Sequence, residues 1–275
     1  MIKKIFVFAL LLILVSCSVD NPATDFEYQY DDLLQGIVIT KHLGNSDDVK
    51  IPKKINGEPV VKISNEAFYL SNVISVKIPE SVTEIGERAF YACNNLTSVN
   101  IPENITTIQD GTFSSCKKLN NVKIPKNVTR IGYHAFIGCH SLTNINIPDN
   151  VTEIVMYSFA DCPGLTSIVI PENVTKIGMG AFASCTGLKS VTIPNNVTII
   201  EGYAFVNCPE LTSIKLPENL TEIGEGTFKD CINLIDINIP DSLTTIKISA
   251  FYNCDSLPEE IKNKILQINP DAFNQ

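Results

Sequence analysis

The chain is 275 residues long and 44% hydrophobic, with 30 acidic against 21 basic side chains and a formal net charge of −9. It has no basic stripe to offer a phosphate backbone, which excludes nucleic acid as a partner. Nine cysteines stand against three histidines, with no C-x-x-C pair, so a zinc site is not expected.

Met1–Cys17 reads MIKKIFVFALLLILVSC, with Lys3 and Lys4 ahead of the apolar run Ile5–Val15. That run falls short of the about 20 residues needed to cross a bilayer and suits the core of a signal peptide. Leu14-Val15-Ser16-Cys17 resembles the lipobox of bacterial lipoproteins, in which cleavage leaves the cysteine as a new, diacylglyceryl-modified N-terminus. The resemblance implies a lipoprotein signal peptide over 1–16 and lipid attachment at Cys17. With Ser18 rather than Asp next, it points to an exported protein held at the outer membrane or cell surface. An ordinary signal peptide with an incidental cysteine is the alternative. The lipid is favoured because Cys17 alone among the nine lies outside the repeat described below, and several acyl chains anchor stably where one does not.

Ser18–Asp32 is acidic and without periodicity, so 17–32 reads as lipid anchor and tether. Residues 33–72 carry weak strand-like pieces, Ile37-Val38-Ile39 and Val49-Lys50-Ile51-Pro52, and a turn at Asn56-Gly57. They read as an N-terminal cap and a first degenerate coil, since the ends of a repeat array must cover exposed apolar surface.

From 73 to 257 one phrase recurs, seen in Leu165–Gly187 as LTSIVIPENVTKIGMGAFASCTG. Ile-Pro or Leu-Pro falls at Ile78-Pro79 and every 23 residues on to Ile239-Pro240; cysteine falls at Cys93 and every 23 on to Cys254. A phenylalanine precedes each of these cysteines by three, and a leucine follows by three. Phe68 stands one residue out of step. A fixed period of this kind is the signature of a solenoid, here one uninterrupted domain. Leu165, Ile168 and Ile170 have the spacing of a short strand, ended by Pro171, which has no N–H for a ladder. Val174 and Ile177 form a second inward pair. Ala181, Phe182 and Cys185 are spaced as a short helical or 3-10 arc. One coil cannot bury its own apolar edge, but stacked coils bury a continuous column.

The L-x-x-L-x-L core, within the fuller pattern I-P-x-x-V-T-x-I-G-x-x-A-F-x-x-C-x-x-L-T-S, resembles the BspA-like class of leucine-rich repeats over roughly 49–257. The resemblance implies a leucine-rich-repeat-like solenoid: a right-handed coil of short parallel strands with short arcs, capped at both ends. It also implies surface adhesion or ligand binding as the commonest role. After the repeats, Pro258–Ile268 predicts a short amphipathic helix within a C-terminal cap, 258–275.

The eight repeat cysteines are near enough for disulfides on strand spacing alone. They sit at inward positions beside phenylalanine, however, and every coil is treated alike, which favours a ladder of buried free thiols. His134 and His140 lie near Cys139, but His140 points away from an inward Cys139 and His134 has no counterpart in other copies. No G-x-S-x-G, Walker loop, H-E-x-x-H or EF-hand spacing occurs, so neither enzyme nor cofactor is expected. Asn-x-Thr recurs at Asn104, Asn127, Asn150, Asn173, Asn196 and Asn219. In a eukaryotic secreted protein these would accept glycans. The favoured reading is structural, with asparagine in a left-handed turn after the proline.

Side chains alternate along a strand, so the outward positions of L-x-x-I-x-I form two columns. One holds Ser75, Ser98, Asn121, Asn144, Ser167, Ser190, Ser213 and Asp236. The other holds Lys77, Asn100, Lys123, Asn146, Val169, Thr192, Lys215 and Asn238. This small, polar strip with a sparse line of lysines is either a binding face for a host or neighbouring-cell surface protein or glycan, or an ordinary solvated sheet. On the second reading the chain is a structural spacer or array component.

Overall fold

The computed structural model describes residues 20–275. The signal segment 1–16, Cys17 and Ser18 lie outside the described residues. The rest forms a solenoid of parallel strands with about nine turns.

The N-terminal end departs from the expected tether. Phe26–Asp31 is a strand, β1, paired antiparallel with β2 (Gly36–His42), and Phe26 is buried against the core. Strands β3 (Asp48–Lys50), β4 (Lys54–Ile55) and β5 (Glu58–Ile63) follow. The β4–β5 hairpin turns at Asn56 (φ 53°) and Gly57 (φ 90°), the pair of left-handed residues that a tight hairpin of the primed type demands.

Two ladders of short parallel strands run along the repeats. On the first, Ser75 pairs with Asp48 and Ser98, and Ser98 with Asn121; pairing resumes at Ser167 with Ser190 and at Ser213 with Asp236. Residues 144–146 form no strand, so this face is interrupted at mid-array. On the second ladder Glu153, Lys176, Ile199, Glu222 and Thr245 stand in register.

The third side corrects the expected helical arcs. Each arc is a run of turns containing two left-handed residues, one two places before the phenylalanine and one two places after. Arg88 (φ 55°) and Ala92 (φ 54°) flank Phe90, and Tyr157 (φ 54°) and Asp161 (φ 52°) flank Phe159. The reason is hydrogen bonding. A helix would point every N–H along its own axis, whereas here alternate N–H groups reach the next coil. The amides of Arg88, Phe90 and Ala92 donate to the carbonyls of Asp110, Thr112 and Ser114 at 2.8–3.0 Å. Buried backbone groups must be paired, and the neighbouring coil is the partner.

The core is a set of columns. Phenylalanine rings from Phe68 to Phe251 stack with centroids 4.9–5.7 Å apart. His42 continues the stack at one end, and Phe273 packs tilted against Phe251 at the other. Such pairs contribute about 0.5–1.5 kcal/mol each beyond burial. Beside them each cysteine is buried, unbridged, and donates its S–H to the carbonyl of the preceding coil's phenylalanine, as Cys139 does to Phe113 at 3.3 Å. Helix α1 (Glu259–Ile268) closes the C-terminal end, burying Ile265 in the common core.

Candidate binding faces

Of the strand-face residues singled out in the sequence, Asn121, Lys123, Asn144, Asn146, Ser167, Ser190, Thr192, Ser213 and Lys215 are exposed, and Ser98 is half-buried. Two are already taken up by the fold. Asn100 accepts from the Ile78 N–H at 2.7 Å and donates to the Ile78 carbonyl at 2.9 Å, and Asn238 grips Leu216 in the same way. Asn144 and Asn146 sit in the interruption rather than on a strand. Lys123 lies between two open depressions. One, of about 440 Å³, is formed with Ser75, Lys77, Ser98 and Asn121; the other, of about 690 Å³, is formed with Glu103, Lys126, Asn146 and Asp149. Its ammonium pairs with Glu103 at 3.0 Å. That pair is highly exposed, so it holds little energy and yields readily to a partner.

The histidines do not approach the thiol as a nucleophile would require. Cys139 is fully buried, and burial pushes its thiol well up from the ordinary range. His140 pairs instead with Asp161 at 3.0 Å, and His134 stacks on Tyr157 at 5.5 Å. Arg88, Gly111, Tyr157 and Gly180 stand in the same left-handed position as His134 in other coils, and none of them is a histidine. Among the described residues no group of three or more His, Cys, Asp or Glu is placed to hold a metal ion.

The asparagine column has another role than a left-handed turn. None of the six has a positive φ. Each instead donates its side-chain N–H to a carbonyl of the preceding coil, as Asn173 does to Asp149 at 2.7 Å and Asn127 to Glu103 at 3.0 Å.

Sequence reasoning missed the edge formed by the arcs. Tyr69 and Tyr91 stack at 5.2 Å with the Arg88 guanidinium 4.7 Å from the Tyr91 centroid, and Arg130 lies 5.5 Å from the centroid of Tyr133. Ion pairs Arg88–Glu66 (3.0 Å) and Arg130–Asp110 (2.7 Å) run alongside. These side chains occupy columns that differ from coil to coil, so nothing in the repeat singles them out. The only available signal is that tyrosine falls one or two places from the phenylalanine column in several copies.

The description "BspA type Leucine rich repeat region" belongs to a family model that matches residues 45–165 and 152–275. A leucine-rich repeat protein of Treponema pallidum is 29% identical over 91% of this chain and 96% of its own, with a TM-score of 0.53. A leucine-rich cell surface protein of Faecalibacterium prausnitzii is 27% identical over 87% of each chain, with a TM-score of 0.54. No curated protein matches the sequence. Among the described residues, no helix is long and apolar enough to cross a membrane.

Proposed function

The chain belongs to the BspA-type leucine-rich repeat family, and from that premise we propose that it is a lipid-anchored surface protein that binds a host or neighbouring-cell macromolecule through its first strand ladder. Repeat scaffolds of this family typically act in binding rather than catalysis. The observation that carries the reading is the position of Lys123. It stands on an exposed polar ladder between two depressions, with Lys77 in one and Lys126 in the other, and its own ion pair is weak and exposed. An extended row of outward hydroxyls, amides and amines on a rigid ladder suits a protein or glycan that engages several coils at once. Affinity then comes from a few anchors within a broad complementary surface.

Surface display is supported by the likeness to a protein described as a cell surface protein. The anchor rests on the Lys3, Lys4, Ile5–Val15 and Leu14–Cys17 pattern. Incorporation of radiolabelled palmitate should be lost in Cys17→Ala, and unchanged labelling refutes the anchor. For the face, the protein is screened against extracellular matrix proteins and glycans beside a Lys123→Glu/Asn146→Glu/Lys215→Glu variant. Equal binding by the two removes the strand ladder as the site.

A further inference from the structure

The arc edge carries a slot where one ring of a stack is missing. Tyr69, Tyr91, Ser114 and Ile137 occupy the same place in four successive coils, each one residue after the core phenylalanine. Tyr69 and Tyr91 are stacked nearly parallel, at 7°. At the next coil the side chain shrinks to Ser114, and Ile137 stands one coil beyond. Two coils span about 10 Å at the spacing of neighbouring strands, room for one flat ring between Tyr91 and Ile137. The resulting cavity holds about 490 Å³, within the about 300–1,000 Å³ of ordinary small-molecule sites.

A second observation marks the floor of the slot. Ser114 is only 5% exposed, yet no protein group bonds to its hydroxyl. Three other buried hydroxyls of the arcs are satisfied within the protein: Thr112, Ser158 and Thr227 donate to the carbonyls of Gln109, Val155 and Gly224. Ser114 lines the cavity, and its hydroxyl, which is not sealed from solvent, is left to bond whatever occupies that space.

The rim selects the chemistry. Asp110 already holds Arg130 and Arg88 already holds Glu66, while Asp161 has only the His140 ring beside it, so both acceptors and donors face the slot with an acidic excess. Glu87 adds a further exposed carboxylate. A phosphate-bearing ring would meet repulsion from these acids, and a purely apolar ring would leave Ser114 unpaired. A pyranose has apolar C–H faces for Tyr91 and Ile137 and a rim of hydroxyls that both donate and accept. We propose that the slot is a subsite for a neutral pyranose sugar, stacked on Tyr91 and hydrogen-bonded to Ser114, separate from the strand ladder.

The full chain, in a zwitterionic detergent without sugar headgroups, is titrated with the methyl glycosides of glucose, galactose, mannose and N-acetylglucosamine. Saturation-transfer NMR and tyrosine emission report binding, and no tryptophan masks the latter. At least one glycoside should bind, with transfer strongest to its ring C–H protons. Tyr91→Ala should weaken binding about tenfold, as loss of a stacking partner implies. Ser114→Ala should weaken it about threefold to tenfold while the melting temperature holds or rises, which a merely structural serine would not do. Ser114→Tyr supplies the missing ring, so binding should vanish in a folded protein. The triple strand-face variant should bind sugar as the parent does. Failure of every glycoside to bind, or undiminished binding by Tyr91→Ala and Ser114→Tyr, overturns the assignment. So does occupation of the slot by a lysine-rich peptide in place of sugar.

Discussion

The ring of Tyr157 presses against Gly180 of the next coil, where any Cβ would collide with it. Gly180 also has φ +60°. Gly180→Ala should therefore cost about 1–2 kcal/mol for the left-handed backbone and about a further 1 kcal/mol for displacing a stacked ring. In a Tyr157→Ala background only the first of these remains. Urea unfolding of the four proteins of this cycle measures the difference, and strict additivity would show that the ring does not rest on residue 180.

The solenoid was legible because its columns are separate constraints that agree: Pro171 ends a strand, Phe182 and Cys185 face inward, and both recur at one period. The arcs were not, because most of the left-handed positions are filled by residues such as Arg88, Ala92, Tyr157 and Leu70, and glycine stands only at Gly111, Gly138, Gly180 and Gly226. Hydrogen bonds to the next coil override local preference there, and no residue-by-residue signal records it. The same limit hid β1, whose Phe26–Asp31 segment becomes a strand through its pairing with β2. On the candidate faces, sequence periodicity marked which residues point outward. It had no way to show that Asn100 and Asn238 turn back onto the backbone, or that Ser114 opens a gap beside Tyr91.

The thiol ladder predicts alkaline fragility. Burial pushes Cys93, Cys185 and Cys231 up to about 12, and it raises the other five repeat thiols as well. In the unfolded chain each ionises at about 8.5. Above that pH the unfolded state sheds protons that the folded state keeps, so stability falls as pH rises. The slope is about 1.4 kcal/mol per thiol per pH unit, about 11 kcal/mol for eight, comparable with the whole stability of a domain. Circular dichroism should show cooperative unfolding at about pH 10. Disulfide reagents should label the ladder only after unfolding. Stability that stays level through the thiol range would contradict burial of the ladder.

The asparagine ladder makes a smaller prediction. Asn173→Ala removes the donor to the Asp149 carbonyl and should cost about 1 kcal/mol. Asn173→Asp should cost more, because it sets a carboxylate against that carbonyl oxygen. Thr175→Ala, whose hydroxyl reaches the Thr152 carbonyl only at 3.5 Å, should be nearly neutral. Equal effects at 173 and 175 in urea melts would mean that the ladder does not stitch the coils together.

His42 ends the aromatic column with a defect. Its ring stacks on Phe68 at 4.9 Å and its Nδ1 lies 3.2 Å from the Ser71 hydroxyl, but its buried Nε2 has no partner. Burial lowers its pKa from the ordinary histidine value, with Asp25 pulling weakly the other way. The folded state thus resists a proton that the unfolded chain accepts. Its contribution is intact above about pH 6.5 and is lost as pH falls through the folded value. His42→Phe replaces the defect with one more ring of the same stack. The variant should be more stable than the parent, with the gain larger at about pH 5 than at about pH 8. Amide exchange across Gly36–His42 should slow most, since that strand forms the cap. A gain of equal size at both values would show that protonation of His42 has no part in the acid sensitivity of this end.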